Sequence, residues 1–355
     1  MLINVVLTGI SVTFLSCLDG INRIDLRSLI SMISAIVTII ISFILIPKYG
    51  IYGIVYSQII QASILILLSL SVYFYHFGSI FFGFINFYSL KSLFKYGFKF
   101  QLGSITSLTS EALIRLLIST YGNISEIPYY EMARKLCDQV RVFFSTAASP
   151  IVPMIAEQNL NEEKHNNQIN LYKNSNTLMI FFAMPAYSII ILSSFFFGYI
   201  FFQEVNYIFS TFICILSITS VISLLTVIPF NISLGTGILK WNTLSYLVYI
   251  FSMFIFAIPL SIYLSSLGSI IGISLATIFS SLVILIPFIY INKIPLKYIF
   301  SKNIRGLVIV CVLAISIFIA TFVFLSINNS SLSFFNSILI MGASMPIFYF
   351  MWKSK

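Results

Sequence analysis

Five charged residues lie close together in an otherwise apolar part of the chain. Glu131, Arg134, Lys135, Asp138 and Arg141 belong to the segment YYEMARKLCDQVR, whereas the 355-residue chain is only 8% charged and 59% hydrophobic. At 100° per residue in a helix, the five side chains fall within an arc of about 120°, opposite an apolar face. Guanidinium and ammonium groups in this pattern could bind an anion, and the carboxylates could pair with them or carry a proton.

A second polar stripe lies on the preceding apolar segment. Glu111 and Arg115 are four residues apart, as neighbours on one helix face would be. The same face, within an arc of about 120°, carries uncharged polar residues: Gln101, Ser104, Ser107 and Ser119. A charge at membrane depth costs at least about 2.5 kcal/mol, so such side chains normally face a cavity or one another. We therefore expect the two stripes to line one aqueous cavity between two repeat units of the chain.

Two structural alternatives compete with a binding cavity. In the first, ion pairs between residues four apart only hold helices together: Glu111 with Arg115, Glu131 with Lys135, and Arg134 with Asp138. In the second, residues 131–141 are solvated near the membrane surface. Tyr129 is expected at the outer boundary, and Arg141 is about 18 Å further along the axis, so we expect Arg141 to lie deep.

Arg141 differs from the other cations of the stripe. It has no carboxylate four residues away, although Arg134 can share Asp138 with it. A spare guanidinium in a cavity is a strong partner for phosphate, because its planar donors can bind two oxygens at once. The stripe therefore favours an anionic ligand.

The elements that carry these residues are predicted to be membrane-spanning helices. Mean hydropathy is +1.04, whereas a water-soluble surface needs roughly a quarter of its residues charged. Long Ile, Leu and Phe runs favour helices over a barrel, and a helix needs about twenty apolar residues to cross a membrane. We predict an all-α membrane protein with about eleven spans: 1–18, 27–46, 51–75, 100–121, 129–153, 177–200, 207–229, 242–264, 267–291, 306–326 and 334–352.

Basic residues are concentrated in alternate connections between these spans. The odd-numbered connections and the C-terminal tail are basic, whereas the even-numbered connections carry only Lys48. By the positive-inside rule, the odd connections and the C-terminus are cytoplasmic and the first residue lies outside. The net charge of +9 therefore reflects topology, and no basic globular domain supports a nucleic-acid partner. The four cysteines lie singly in separate spans, which predicts inert thiols rather than a metal site.

Two helix hairpins of the chain resemble each other. Gly20 precedes one hairpin and Gly53 lies in its turn, while Gly237 and Gly272 take these places in the other. The offsets of 217 and 219 residues predict a parallel repeat, although glycine turns also recur by chance in polytopic proteins. If the second unit begins near residue 100, the first would begin before Met1. We therefore expect about three helices to be missing from the start of this chain.

The repeat gives predicted domain boundaries. Residues 1–75 form a partial N-terminal bundle of three helices, 76–99 a cytoplasmic linker, 100–291 a C-terminal six-helix bundle, and 292–355 two extra helices. The linker segment FYSLKSLFKYGFKF has basic residues four apart beside aromatic residues. This pattern suits an interfacial helix on anionic lipid, or equally an ordinary positive-inside loop.

The sequence resembles a known family of membrane transporters. The similarity lies in EALIRLLIS and in YGNISEIPYYEMARKLCDQVRVFFSTAASPIVPMIAE, which match the middle helix pair of bacterial polysaccharide exporters. These are the Wzx-type O-antigen and repeat-unit flippases of the multidrug/oligosaccharidyl-lipid/polysaccharide exporter superfamily. IPKYGIYGIVYSQII and LDGINRIDLRSLIS look like earlier helices of that family. Its members have two six-helix bundles, so the resemblance implies a two-bundle exporter architecture with a partial first bundle.

The resemblance also implies a function. The protein would move an undecaprenyl-diphosphate-linked oligosaccharide across the bacterial cytoplasmic membrane by alternating access, for surface polysaccharide such as O-antigen, lipopolysaccharide or capsule. It would be a transporter rather than an enzyme, with no cofactor or metal. Its partners would be the lipid-linked oligosaccharide, membrane lipids, and polysaccharide polymerase and chain-length machinery. The expected substrate contacts are Arg115, Arg134, Lys135 and Arg141, and the expected charge partners or proton carriers are Glu111, Glu131 and Asp138.

Three other functions stay open at this point. A drug or cation exporter of the same superfamily would need a net acidic cavity, and the 131–141 stripe is not acidic. A membrane polysaccharide polymerase or ligase would need a large external loop, whereas the even connections have only about two to eight residues. An inactive fragment would follow if three helices are truly absent, because one wall of the cavity would be open to lipid.

Overall fold

The computed structural model describes residues 2–20, 23–78, 87–158, 164–203, 206–292 and 294. Within these ranges every regular element is a helix, which confirms the all-α class predicted from the sequence. The chain divides into two compact units, Met1–Leu90 and Lys91–Lys355. The predicted spans 306–326 and 334–352 lie outside the described residues, so the total of about eleven spans stays a prediction.

In the first unit, the described residues up to 78 form three helices. They are α1 (Leu2–Gly20), α2 (Ile24–Tyr49) and α3 (Ile51–Phe77). Their small core is built on Leu15, Leu18 and Ile30, against which apolar residues of α2 and α3 pack. An ion pair between Asp19 and Arg27 joins the end of α1 to the start of α2.

The second unit holds most of the remaining helices. In chain order they are α4 (Phe87–Tyr121, which begins just before the unit boundary), α5 (Ile127–Ala147), α6 (Ile151–Gln158), α7 (Lys164–Leu192), α8 (Ser194–Phe202), α9 (Tyr207–Leu224), α10 (Val227–Thr236) and α11 (Lys240–Ile291). The central helix is α9, which packs against α5, α7, α8, α10 and α11. Its Phe209, Phe212 and Ile213 side chains are fully buried, so apolar contacts around α9 form the core of this unit.

Several helices are long and apolar enough to cross a membrane. By length and composition, five stretches of the described residues qualify: Asp25–Tyr49, Ile51–His76, Leu171–Leu192, Tyr207–Thr236 and Lys240–Ile291. These helices make the chain a multi-pass membrane protein. α4 and α5, which carry the charged stripes, are not among the five.

The linker predicted at 76–99 is partly helical. α4 begins at Phe87 and continues without a break to Tyr121, so the basic, aromatic segment belongs to the same 35-residue helix as Glu111 and Arg115. An interfacial helix separate from the following span is therefore not present over residues 87–99. The predicted domain boundaries themselves stay a prediction.

Two helices of the second unit are interrupted where proline lies nearby. The regular helix is interrupted at Ala148 to Pro150, between α5 and α6, and at Leu225 and Thr226, between α9 and α10, although Ala148, Leu225 and Thr226 keep right-handed helical dihedral angles. Proline lacks an N–H donor and disfavours helix at the preceding residue, which explains the first break. The Asn231 side chain of α10 donates a hydrogen bond of 3.0 Å to the Ala148 carbonyl, so it supplies a partner where α5 ends.

The repeated hairpin is present, with a different register from the one predicted. Gly50, between α2 and α3, has φ 56° and ψ −132°, and Ser265, within α11, has φ 54° and ψ −133°. These two turn residues are 215 positions apart. α11 is therefore two helices joined by a turn, with nearly the same backbone as the turn between α2 and α3.

Glycine contacts fix the same register. A Cβ on Gly53 would lie 2.6 Å from the Leu45 carbonyl oxygen, and a Cβ on Gly268 would clash with the Leu260 carbonyl. Gly268 lies 215 positions after Gly53, and Leu260 lies 215 positions after Leu45. Gly53 therefore corresponds to Gly268. The predicted match of Gly53 with Gly272 was wrong, because residue spacing alone did not locate the turn. Gly272 instead lies against Ala257 further along the hairpin.

Candidate functional site

The turn between α4 and α5 brings the two charged stripes side by side. Asn123 and Glu126 form a reciprocal capping box, in which each side chain accepts a hydrogen bond from the other residue's backbone N–H. Glu126 is buried, and Pro128 lies in the first turn of α5, where its missing N–H costs nothing. This compact turn sets α4 and α5 as neighbours, with Glu111 and Arg115 on one helix and the 131–141 stripe on the other.

Five of the predicted site residues form a continuous chain of ion pairs. Arg115 Nε lies 2.6 Å from Glu131 Oε1, and an Arg115 terminal nitrogen lies 3.9 Å from Glu111 Oε2. Arg134 joins the two helices a second time, with 2.6 Å from a terminal nitrogen to Glu111 Oε1 and 3.1 Å from Nε to Asp138 Oδ2. Charges therefore alternate along the series Glu131, Arg115, Glu111, Arg134, Asp138.

The observed ion pairs differ from those predicted between residues four apart in the sequence. Arg134 with Asp138 and Glu111 with Arg115 are present, the second only as a long contact. Glu131 pairs with Arg115 of α4 instead of Lys135. The shortest contacts cross between helices, so the predicted i, i+4 pairs are the weaker part of the network.

Two cations of the stripe stand outside this network. Within the ranges that the structure describes, neither Lys135 nor Arg141 has a hydrogen-bond or ion-pair partner. Lys135 is exposed on α5 and does not line the cavity described below. Arg141 is also exposed, but it does line the cavity, where it lies near enough to interact electrostatically with the Tyr246 and Tyr249 hydroxyls.

A polar cavity of about 620 Å³ lies inside the second unit, among α4, α5, α9, α10 and α11. This volume is within the range of small-molecule sites, roughly 300–1,000 Å³. Its charged lining residues are Arg134, Asp138 and Arg141, a formal net charge of +1. Of the predicted site residues, the structure thus brings these three to the cavity, while Arg115, Glu111 and Glu131 lie in the ion-pair chain beside it.

Most of the cavity wall consists of hydroxyl side chains. Sixteen of the 27 lining residues are Ser, Thr or Tyr. On α4 the lining residues are Gly103, Thr106, Ser107 and Ser110, and on α9 they are Leu216, Thr219, Ser220 and Ser223. Both sets have the i, i+3, i+4, i+7 spacing of one helix face.

These hydroxyl residues are functional candidates that charge alone did not reveal. Ser107 was part of the predicted α4 stripe, but the α9 and α11 residues were not predicted. Their i, i+3, i+4, i+7 spacing along a helix could be recognised in the sequence. Serine and threonine are common in membrane helices, however, so the spacing becomes informative only when several helices turn it toward one space.

Close packing shapes the wall beside α11. A Cβ on Gly103 would lie 2.7 Å from the Tyr246 ring, so glycine lets this tyrosine lie across α4. Tyr130 is almost fully buried and also lines the cavity. Among the described residues, no group of three or more His, Cys, Asp or Glu side chains could hold a metal ion.

Comparisons with known proteins agree with a membrane protein of this architecture. No curated protein matches the chain. A solved structure, the Lipid II flippase MurJ in an inward closed conformation, is similar with a TM-score of 0.64 and 18% sequence identity, and the alignment covers 98% of this chain and 72% of that one. At this identity the likeness shows the fold. The family model described as "Polysaccharide biosynthesis protein" matches residues 2–205. The resemblance to polysaccharide exporters is thereby confirmed at the level of the family, and the chain belongs to the polysaccharide biosynthesis protein family.

Proposed function

We propose that this protein moves an undecaprenyl-diphosphate-linked oligosaccharide from the cytoplasmic to the outer leaflet of the bacterial cytoplasmic membrane. A diphosphate and a hydrophilic glycan cannot cross hydrocarbon unaided, because their polar groups would lose their hydrogen bonds to water. The polyprenyl tail can stay in the bilayer. A transporter therefore needs a polar space large enough for the head group and a cation that replaces water around the phosphates.

The unpaired Arg141 in the polar cavity is the observation that carries this proposal. The described neighbours of Arg141 include tyrosine hydroxyls but no carboxylate within ion-pair distance. The Arg141 guanidinium is exposed at the cavity wall, so a diphosphate that enters the cavity can contact it directly. Two parallel N–H···O bonds would also orient the phosphate.

Arg134 provides a second cation at the same wall, already held by Glu111 and Asp138. These carboxylates offset the positive charge of Arg134, so that Arg134 and Arg141 can both line the cavity when no ligand is bound. When a diphosphate binds at Arg141, Arg134 can exchange Asp138 for a phosphate oxygen. Glu111, Glu131 and Asp138 are the proposed charge partners, and Arg115 and Lys135 stay candidate contacts in another conformation of the transport cycle.

The fold and family support a transporter in preference to the other functions considered. The matched structure is that of a lipid II flippase, and the matched family model describes polysaccharide biosynthesis proteins. A cation exporter is disfavoured by the cavity's net charge of +1. We propose the same membrane orientation as that predicted from the basic connections, with the C-terminus cytoplasmic and polysaccharide polymerase and chain-length machinery as partners.

Transfer of a labelled lipid in proteoliposomes tests the proposal. The full chain should move an undecaprenyl-diphosphate-linked disaccharide between leaflets, and Arg141→Ala should slow this transfer by roughly tenfold or more, since a charge-assisted hydrogen bond is worth about 1.5–3 kcal/mol. Arg141→Lys should retain part of the rate, because it keeps the charge and loses the paired donors.

Lys48→Ala is the control, because Lys48 is an exposed cation of the first unit, at the end of α2. It should transfer the lipid at the wild-type rate. Equal transfer by wild type and Arg141→Ala would refute the role of Arg141. If the wild-type protein moved no lipid diphosphate while remaining folded, the proposed function would be wrong.

A further inference from the structure

The hydroxyl wall of the cavity contains more acceptors than donors. Eight of its thirteen Ser and Thr side chains donate their proton to a backbone carbonyl three or four residues earlier. Thr219, for example, donates to the Ile215 carbonyl at 2.8 Å, and Thr277 to the Ile273 carbonyl at 2.8 Å. A hydroxyl has one proton and two lone pairs, so none of these eight oxygens has a proton left to donate. The Ser110 and Thr277 hydroxyls already contact the Tyr249 hydroxyl, and the other six oxygens can still accept a hydrogen bond from a ligand.

Two side chains of the wall with N–H donors also have protein partners, whereas eight further hydroxyls, five of Ser and three of Tyr, are outside this set of backbone bonds. The Asn231 amide nitrogen donates to the Ala148 carbonyl at 3.0 Å, and the Arg134 guanidinium donates to Glu111 and Asp138. Asp138 is an acceptor. In the described part of the wall, Arg141 is therefore the one charged donor without a protein partner.

One buried group indicates that the wall is built to meet a ligand or ordered water. The Ser274 side chain lines the cavity, is 6% exposed and has no hydrogen-bond partner for its Oγ. Leaving a buried hydroxyl unpaired costs about 1–3 kcal/mol. A hydrogen-bonding group of a molecule in the cavity, either donor or acceptor, would remove that cost.

We infer that the cavity selects a glycan rich in hydroxyl and amide N–H donors and poor in carboxylates, that is, neutral or N-acetylated sugars rather than uronic or other acidic sugars. This inference rests on the proposed function and narrows its substrate class. Sugar hydroxyls and acetamido N–H groups supply the donors that the wall accepts. A carboxylate on the glycan needs a charged donor to offset its lost hydration, and the diphosphate occupies the one free guanidinium of the described wall. An acidic sugar therefore loses its hydration without adequate replacement.

Two matched lipid substrates test the inference in proteoliposomes of the full chain. Both are undecaprenyl-diphosphate-linked disaccharides, with terminal glucose in one and terminal glucuronic acid in the other, so they differ only in a CH₂OH or carboxylate group. The glucose substrate should be transferred at least about tenfold faster, because an unpaired buried charge costs more than a neutral group. Equal rates, or faster transfer of the acidic substrate, would overturn the inference.

A pair of variants on one helix tests the acceptor wall itself. Thr219→Val removes a cavity oxygen with little change of shape, and transfer of the glucose substrate should fall roughly two- to tenfold, the loss expected for one hydrogen bond. Thr211→Val is the matched control, since Thr211 makes the same type of bond, to the Tyr207 carbonyl at 2.8 Å, but does not line the cavity. Equal effects of the two variants would contradict a wall that accepts from the glycan.

The outcomes separate this inference from the proposed function. If neither disaccharide is moved by folded wild-type protein, the proposed function fails. If both are moved at the same rate and Arg141→Ala stops both, the function stands and the sugar selection is wrong.

Discussion

Arg134 joins the two charged stripes, as Arg115 also does through Glu131. The Arg134 guanidinium contacts Glu111 of α4 at 2.6 Å and Asp138 of its own helix at 3.1 Å. The side chains of Arg134 and Glu111 are only 25% and 28% exposed, so their pairing is less screened than that of a surface salt bridge. Removing one partner leaves the other charge partly buried and incompletely satisfied, which is the costly case for an ion pair.

We predict strong coupling between these two residues. Arg134→Ala and Glu111→Ala should each lower stability, and the double variant should be more stable than the sum of the single effects predicts, with a coupling energy of roughly 0.5–3 kcal/mol. Thermal unfolding of the four proteins in detergent measures this difference. Strict additivity would mean that the contact contributes nothing to stability.

The local spacing rule predicted only part of this network. Arg134 with Asp138 could be predicted because residues four apart on a helix always lie on one face. Two ion pairs cross between α4 and α5, namely Arg134 with Glu111 and Arg115 with Glu131. They depend on how each helix is rotated about its axis. That rotation is set by the turn at residues 122–126 and by packing, which spacing within one helix does not encode.

The turn at Ser265 is the most unusual backbone feature among the helices. Its φ of 54° is in the region that favours glycine, and in the equivalent turn of the first unit the position is held by Gly50. A non-glycine residue held there costs of order 1–3 kcal/mol. The break in α11 is thus imposed by packing on either side, as shown by Gly268 against Leu260.

Reciprocal substitutions at the two turns should have opposite effects. Ser265→Gly should stabilise the protein and Gly50→Ser should destabilise it, each by about 1–3 kcal/mol. Ser71→Gly is the control, because Ser71 is exposed within α3 and glycine in a helix costs about 0.5–1 kcal/mol. The melting temperatures of the variants in detergent measure these effects. A lower melting temperature for Ser265→Gly would show that the serine side chain itself stabilises the turn.

At the scale of elements, hydropathy predicted the helices well and their interruptions poorly. The predicted spans 27–46 and 51–75 fall within α2 and α3, because long apolar runs leave the backbone no alternative to helix in a membrane. The span predicted at 129–153 is divided into α5 and α6, and that at 207–229 into α9 and α10. Such breaks depend on partners such as Asn231, which a hydropathy window does not detect.

At the scale of the whole molecule, the second unit places a polar cavity inside an apolar helix bundle. Five helices contribute to its wall, and its polarity comes mainly from hydroxyl groups. From the sequence we expected a cavity between two repeat units, because charges at membrane depth need one, and the location of this cavity inside the second unit was not predicted. The sequence could not predict the hydroxyl wall, since this surface forms only when faces of α4, α9 and α11 meet.

We propose that this cavity holds the lipid-linked glycan during transport. Substrate protection of a cavity cysteine tests it most directly, in a variant whose four native cysteines are replaced by serine. Ser107→Cys suits the measurement because Ser107 is exposed and lines the cavity. Ser125→Cys, in the exposed turn between α4 and α5, is the control.

The measured quantity is the rate at which a water-soluble maleimide modifies each cysteine in proteoliposomes. Undecaprenyl-diphosphate-linked disaccharide should slow modification of Ser107→Cys and leave Ser125→Cys unchanged, and Arg141→Ala should abolish this protection. Modification of Ser107→Cys at the same rate with and without saturating substrate would contradict the account.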